Sequence, residues 1–306
     1  MNDKEKKQTY LGISLAIVAV VIWSGNFVIA RGISHRIGPV SLAFYRWGLA
    51  TILLAPFAWK KTIADKKAIL ARPGYLFFAS LTGIVLFNTL VYVAGHHTTA
   101  INLALIGTTS SPIFATIMAV IFLKDRPGVF RIAGMFVCIS GIILLISRGS
   151  LETLMAFHFS EGDLWVMGGA MAFAIYNVMV RKKPANISTL PFLFVIFAAG
   201  TVMLFPAFLL EHRSSAPVVW DTSLLVTIVY LGLGNSIISF LCWNLAIEKI
   251  GTGRTVLFGN LIPVFSILEA VLFLGEKMTS LHIISGLIVI SGLVLANLKV
   301  RVSGER

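Results

Sequence analysis

Long apolar segments alternate with short polar ones along the whole chain, and none shows the period-two alternation of a half-buried strand. A helix needs about 20 apolar residues to cross the roughly 30 Å hydrocarbon core of a bilayer. The pattern therefore predicts an all-α integral membrane protein with ten transmembrane helices, called spans 1 to 10. The spans cover residues 11–31, 38–58, 74–94, 98–123, 128–147, 162–181, 190–210, 222–247, 251–275 and 280–298.

The second half of the chain repeats the hydrophobic plan of the first half. Matching residues are offset by 150 in the first two spans and by 151 beyond them, where Pro112 falls on Pro263. We predict two repeats, residues 1–147 and 150–306, with five spans each. Because five is an odd number, the second repeat enters the bilayer from the opposite side. Inverted repeats of this kind are typical of carriers that work by alternating access.

Composition identifies the solvent of these helices. The chain is 57% hydrophobic and 12% charged, with a mean hydropathy of +0.90. Soluble domains carry about 25% charged residues, so this chain has too few charged residues to cover a surface that faces water. We therefore predict that lipid surrounds the helices. Backbone exposed to lipid must form its hydrogen bonds internally, as helices do.

The net charge of +12 also fits a nucleic-acid-binding protein, but the positions of the charges argue against that. With a cytoplasmic N-terminus, 19 of the 25 lysines and arginines fall in inner segments and 5 in outer ones, whereas the acidic residues divide evenly. This is the positive-inside distribution of membrane proteins. We predict a multi-pass protein of the bacterial inner membrane, with both termini in the cytoplasm and no nucleic-acid partner.

The segments between the spans are too short to hold a soluble catalytic domain. No phosphate-binding loop, CxxC pair or HExxH motif is present, so we predict no cofactor and no enzymatic activity. All six histidines map to the predicted outer side, but their spacing fits no compact ligand set. No metal site is therefore predicted.

Two charged residues lie clearly inside predicted spans, away from their ends, where a charge is costly and usually functional. Arg46 lies early in span 2, and Glu269 lies seven residues before Glu276 in span 9. At 1.5 Å of rise per residue, both are about 10–12 Å below the outer rim. They form either a structural ion pair between two helices, or a site in which Arg46 holds a substrate anion and Glu269 holds an amine or carries a coupled proton.

Aromatic and amide side chains recur together in spans 1, 3, 6 and 8. An amide in lipid needs hydrogen-bond partners, so each one serves either helix packing or a ligand. As a set they predict a cavity for a small amphipathic molecule, with its apolar body against the rings. The predicted substrate-binding residues are Trp23, Asn26, Tyr45, Arg46, Asn88, Tyr92, Tyr176, Asn177, Trp243, Asn244 and Asn260.

Spans 4 and 9 each carry a mid-span proline, Pro112 and Pro263. Proline removes a helical hydrogen bond and favours a kink, so we interpret both as hinges, with static kinks as the alternative. Spans 5 and 10 contain glycine and serine but no mid-span amide or charge. Small residues allow close helix packing, and we expect these two spans at the periphery.

These residues give the chain a resemblance to the drug/metabolite transporter superfamily, in its ten-helix type with two EamA domains. The resemblance extends over residues 11–298 and implies a central cavity lined by helices 1–4 and 6–9, together with secondary transport of metabolites, often by efflux. Glu269 is not a general feature of that family. The motifs that carry the resemblance are Trp23–Phe27 (Trp-Ser-Gly-Asn-Phe), Arg46, Ser111–Phe114 leading to Phe122–Asp125, and Ile262–Phe265 leading to Phe273–Glu276.

The sequence thus predicts a secondary-active exporter of a small amphipathic metabolite, such as an amino acid or a derivative. Its expected partners are that substrate and the lipid bilayer, with protons as the candidate coupling ion. Two complete repeats in one chain are compatible with a functional monomer. The alternatives are a carrier of nucleotide-sugars, lipid head groups or drug-like cations, and an integral-membrane enzyme, which would need clustered acid/base or metal groups at one rim.

Overall fold

A computed structural model describes residues 3–97, 100–124, 127–147, 149–155, 160–215, 217–262, 264–265 and 280–297. Within these ranges the chain is helical and contains no β-strand. The helices take the numbers of the predicted spans. They are α1 (Asp3–Gly32), α2 (Pro39–Ala64), α3 (Pro73–His97), α4 (Ala100–Leu123), α5 (Val129–Ile146), α6 (Glu161–Arg181), α7 (Thr189–Ser214), α8 (Thr222–Ile250), α9 (described as Thr252–Thr255 and Val256–Leu261) and α10 (Ser280–Asn297).

Six of these helices, α1, α2, α3, α6, α7 and α8, are long and apolar enough to cross a membrane. Helices α4, α5 and α10 contain shorter apolar stretches. The predicted all-helical membrane fold is confirmed. The count of ten spans stays a prediction, because span 9 is described only in its first part, and so does the boundary between the repeats.

Helices α2 and α7 hold equivalent places in the two repeats, and each caps the other. The carboxylate of Glu211, near the end of α7, accepts hydrogen bonds from Val40 N (3.0 Å) and Ser41 N (2.6 Å) at the start of α2. Asp65, at the end of α2, accepts one from Ser188 N (2.9 Å), which precedes α7. The first N–H groups of a helix lack intrahelical acceptors and favour negative charge. The two helices are therefore antiparallel, as an inverted repeat requires.

The middle of this helix pair is held by residues related by the offset of 150. The rings of Trp47 and Phe197 lie 4.7 Å apart between centroids. One turn further on, the hydroxyl oxygens of Thr51 and Thr201 are 3.4 Å apart. Because each residue contacts its own counterpart, the pseudo-twofold axis between the repeats passes between α2 and α7.

Helices α5 and α10 also pack mainly against each other and run antiparallel. A Cβ atom added to Gly134, near the start of α5, would overlap the carbonyl oxygen of Gly292, late in α10. The Cys138 thiol donates to Val289 O at 3.4 Å, and these two positions are related by the offset of 151. The close approach places the pair beside α4 and α9, away from the α2–α7 contact.

At the end of the bundle where α1 terminates, the α1–α2 connection is tied to the start of α8. Arg36 Nη2 lies 2.7 Å from Asp221 Oδ2, and both side chains are partly exposed. The hydrogen bond from Arg36, followed by that from Leu224 N, holds the pKa of Asp221 below its usual range. An exposed pair of this kind contributes little to stability.

The α2–α7 contact predicts a specific cross-link. In a background without the two native cysteines, Thr51→Cys with Thr201→Cys should form a disulfide within one chain on mild oxidation, because the two hydroxyl oxygens are 3.4 Å apart. The matched control is Ile52→Cys with Val202→Cys, whose side chains are 69% and 71% exposed and face lipid. Cross-linking is measured by mass spectrometry after proteolysis. A disulfide in the control but not in the first pair would contradict the helix arrangement.

Candidate functional site

Arg46, the eighth residue of α2, is buried with 1% of its surface exposed. Its Nη1 donates to Asn88 Oδ1 (2.8 Å) and Tyr92 Oη (2.7 Å) on α3, and lies 3.3 Å from Asn26 Oδ1 on α1. Because a guanidinium can only donate, the amide oxygens must face it. The orientation of the Asn88 amide is therefore fixed by chemistry, with Nδ2 turned away from Arg46.

The remaining N–H groups of Arg46 reach across to α8 in the second repeat. Nε donates to Ser236 Oγ at 2.6 Å, while Nη2 donates to Asn235 Oδ1 at 2.9 Å and to the Asn235 main-chain oxygen at 3.2 Å. Asn235 Nδ2 in turn donates to Ile22 O at 3.0 Å, which fixes this amide as well. Trp23 Nε1 donates to the same Asn235 main-chain oxygen at 3.0 Å. The guanidinium thus links both repeats.

Sequence reasoning missed Asn235, Ser236 and the backbone that presents them. Residues Tyr230–Ile238 of α8 are π-helical, as are Leu81–Leu86 of α3 at the equivalent place in the first repeat. The Ser236 hydroxyl donates to Leu231 O, five residues back, and so satisfies a carbonyl of the wide turn. Short π-helical segments are frequent at functional sites. The sequence did contain one signal that could have identified this site: Asn235 is an amide in the middle of a span, and two glycines, Gly232 and Gly234, precede it.

The partners of Arg46 are neutral. Within the part of the chain that the structure describes, no carboxylate accepts a hydrogen bond from it. Its Cζ lies 4.8 Å from the centroid of the Trp47 ring, a cation–π contact. Glu269, which the sequence places at a similar depth, falls outside the described residues, so the pairing of these two charges stays a prediction.

A cavity opens beside the guanidinium, between α1, α2, α3, α4, α6, α8 and α9. The empty space inside it and in front of its open mouth amounts to about 720 Å³, part of which is open solvent. Its polar lining includes Arg46 and the amides around it, whereas the other walls are mainly apolar. Those walls include Phe87, Val91, Val166, Ala170, Phe173 and Ile262.

The structure brings five predicted binding residues to this cavity: Trp23, Asn26, Arg46, Asn88 and Trp243. The Trp23 ring forms one wall together with aromatic neighbours. Its centroid lies 4.9 Å from that of Trp243 and 5.6 Å from that of Phe173. The face that these rings present is apolar and suits the body of an amphipathic ligand.

Four further predicted residues are buried behind the lining and support it. Tyr92 is a partner of Arg46. Asn177 Oδ1 accepts from Trp243 Nε1 at 2.8 Å, and Asn244 Nδ2 donates to Tyr176 Oη at 2.8 Å. These contacts orient a lining ring and join α6 to α8.

The other predicted residues lie elsewhere. Tyr45 points to the far side of α2, where its ring contacts Phe208 (5.4 Å) and Trp220 (5.1 Å). Asn260 is buried in the 3₁₀-helical segment of α9 and does not line the cavity. Helix α4 continues through position 112, but the Pro112 side chain, like all of Pro263 and Glu269, falls outside what the structure describes.

A second pocket lies at the end of the bundle where α1 terminates. His35, His96 and His212 line it together with Arg36. Among the described residues, no three histidine, cysteine, aspartate or glutamate side chains are grouped as a metal ion would need.

Comparison with known proteins agrees with this architecture. The sequence profile of the EamA-like transporter family matches residues 10–147 and 160–298. An "Uncharacterized transporter" of Archaeoglobus fulgidus is 27% identical over 98% of this chain and 99% of its own length. "Uncharacterized transporter YyaM" of Bacillus subtilis is 30% identical over 96% of each chain.

A third relative carries a more specific name. The "Probable terminal-alkyne amino-acid exporter" of Streptantibioticus cattleyicolor is 25% identical over 92% of this chain and 91% of its own length. A protein of known crystal structure, 19% identical, shares the fold with a TM-score of 0.68 over 95% of this chain and 96% of its own. The chain therefore belongs to the EamA-like transporter family of the drug/metabolite transporter superfamily, and it is a multi-pass membrane transporter.

Proposed function

We propose that this chain is a secondary-active carrier that exports a small amphipathic carboxylate, an amino acid or a derivative, across the bacterial inner membrane. The observation that carries the proposal is the buried Arg46 guanidinium at the wall of a mainly apolar cavity. A buried cation with neutral partners favours an anionic ligand, because a carboxylate can replace a neutral acceptor with stronger, charge-assisted hydrogen bonds. An apolar cavity with a few convergent polar groups is the usual form of a small-molecule site.

Asn88 adds a second donor beside the guanidinium. Its Oδ1 accepts from Arg46, and its Nδ2 is buried with no hydrogen-bond partner among the described residues. Leaving a buried donor unsatisfied costs about 1–3 kcal/mol. A substrate carboxylate would relieve that cost, so we assign Arg46 and Asn88 to the carboxylate, and Trp23 and Phe173 to the apolar body.

The name of one relative supports the substrate class. "Probable terminal-alkyne amino-acid exporter" describes the protein of Streptantibioticus cattleyicolor, at 25% identity. An α-amino acid with an apolar side chain combines a carboxylate with an apolar body, which matches the two regions of this cavity. The same name supports the export direction.

Alternating access follows from the inverted repeats, which can expose a central cavity to each side in turn. We assign the hinges to Pro112 and Pro263, and the substrate amine or a coupled proton to Glu269. One chain contains both repeats, so a monomer suffices for this cycle.

Reconstituted protein should transport carboxylates in a way that depends on Arg46. With the twenty common amino acids as the substrate panel, Arg46→Gln should raise KM about ten- to a hundredfold, because a hydrogen bond to a charged group contributes roughly 1.5–3 kcal/mol. Arg46→Lys keeps the charge but loses the planar fork, and its KM should be intermediate. Initial rates in proteoliposomes measure both. The matched control is Arg36→Gln at the exposed rim, and equal losses in the two glutamine variants would contradict the site.

The role of Glu269 is tested with a pH gradient. If Glu269 carries a coupled proton, a gradient that accelerates the wild-type protein should have no effect on Glu269→Gln, while exchange of labelled for unlabelled substrate continues. If it binds the amine, acceleration and exchange should fall together. Glu276→Gln, seven residues further along, is the control. If Glu269→Gln kept normal affinity for the substrate and was still accelerated by the pH gradient, both proposed roles of Glu269 would be contradicted.

The positive-inside distribution predicts that both termini are cytoplasmic. Green fluorescent protein fused to either terminus should fluoresce, and alkaline phosphatase fused to either terminus should be inactive, because each reporter works on only one side of the inner membrane. Active phosphatase at one terminus alone would require an odd number of spans and would contradict the topology.

A further inference from the structure

The guanidinium of Arg46 has no spare N–H group for a substrate. Nε is taken by Ser236, and the two N–H groups of Nη1 are taken by Asn88 and Tyr92. The two N–H groups of Nη2 both go to Asn235, one to Oδ1 and one to the main-chain oxygen. An incoming carboxylate must therefore displace one of these acceptors.

The geometry of Asn235 differs from that of the other partners. It presents two oxygen atoms to Nη2 of Arg46, at 2.9 and 3.2 Å, whereas each of the other partners presents one. A carboxylate also has two oxygens, which would pair with two different guanidinium nitrogens and so take the Nη2 position that Asn235 holds. It lines the cavity, as Asn26 and Asn88 do, whereas Ser236 and Tyr92 do not. Asn26 Oδ1 lies 3.3 Å from Nη1, the longest of these contacts to the guanidinium. Asn88 also lines the cavity, but its unpartnered Nδ2 suits it to bind a carboxylate rather than to compete with one.

We infer that Asn235 occupies the place that the substrate carboxylate takes, and that substrate binding displaces it from Arg46. This inference rests on the carboxylate binding proposed above and adds a residue of the second repeat to it. Asn235 acts as an internal competitor for Arg46. Its oxygens keep the guanidinium satisfied when the cavity is empty, because an unpaired buried charge would be strongly destabilising.

Displacement would also link binding to movement. Arg46 belongs to the first repeat and Asn235 to the second, so their hydrogen bonds join the two units that alternating access must shift. A ligand changes a conformational equilibrium only through different affinities for the two states. A carboxylate that replaces Asn235 weakens the contact between α8 and α2, and it therefore favours the state in which α8 has moved away from Arg46.

Two alanine variants distinguish competition with the substrate from mere structural stabilisation of Arg46. Asn235→Ala and Asn88→Ala each remove one amide acceptor from the same guanidinium, so their structural costs are similar. Loss of the competitor should lower KM about three- to tenfold in Asn235→Ala, because one hydrogen bond contributes roughly 0.5–1.5 kcal/mol net. Loss of the Nδ2 donor should raise KM in Asn88→Ala. A raised KM in both variants would overturn the inference.

Asn235→Asp provides a second, isosteric test that does not depend on transport. An internal carboxylate next to Arg46 should abolish the rise in melting temperature that amino acids cause in the purified wild-type protein in detergent. The comparison is made within each variant, because the aspartate also loses the hydrogen bond from Asn235 Nδ2 to Ile22 O. Each of the twenty common amino acids is tested as the ligand. Stabilisation of the aspartate variant by the same amino acid that stabilises the wild type would also overturn the inference.

The two proposals fail in different ways. A wild-type protein that none of the twenty amino acids stabilises, and that transports none of them, contradicts the proposed function, and the inference about Asn235 fails with it. If Arg46→Gln impairs transport but Asn235→Ala raises KM, the proposed carboxylate site stands. Only the inference that substrate displaces Asn235 is then contradicted.

Discussion

A permanently charged guanidinium that is buried in a lipid-surrounded bundle must have every N–H group satisfied by protein or ligand, and the core of this molecule is built around that constraint. Arginine cannot lose its proton to escape burial. Arg46 extends from α2 and obtains oxygen acceptors from α1, α3 and α8. The π-helical segment of α8 supplies a main-chain oxygen, that of Asn235, in addition to side-chain acceptors. The positions of four helices are therefore linked to one side chain.

The scaffold is symmetric, but the site is not. Helices α2 and α7 cap each other through Glu211 and Asp65, and Trp47 meets its counterpart Phe197. At the offset of 150, however, Arg46 corresponds to Ile196, which is fully buried. Duplication of the fold thus supplied two similar half-bundles, whereas among the described residues that line the cavity only Arg46, in the first repeat, is charged. A cavity with one cationic region and apolar walls fits the proposed substrate, a molecule with one anionic end.

Sequence reasoning identified residues that line the cavity where a polar side chain in an apolar span is conspicuous. Arg46, Asn26 and Asn88 could be found because a charge or an amide is costly in an apolar span. The direction of a side chain was harder to predict. Tyr45 and Arg46 are neighbours in a run rich in aromatic residues, so no polar face indicated which one points to the cavity. Asn235 was missed because its role depends on a π-helical turn, which arises from tertiary hydrogen bonds rather than from local propensity.

These features restrict how access can alternate in the proposed cycle. Separating α2 from α7 would remove the acceptors at both helix starts and break the central contact between Thr51 and Thr201. Such a movement would therefore break contacts at both ends and in the middle of the helix pair. Movement of α8 against α2 breaks the hydrogen bonds of Asn235 and Ser236 to Arg46, which a substrate carboxylate can replace. The pair α2–α7 is therefore best suited to act as the axis, and α8 as an element that moves around it.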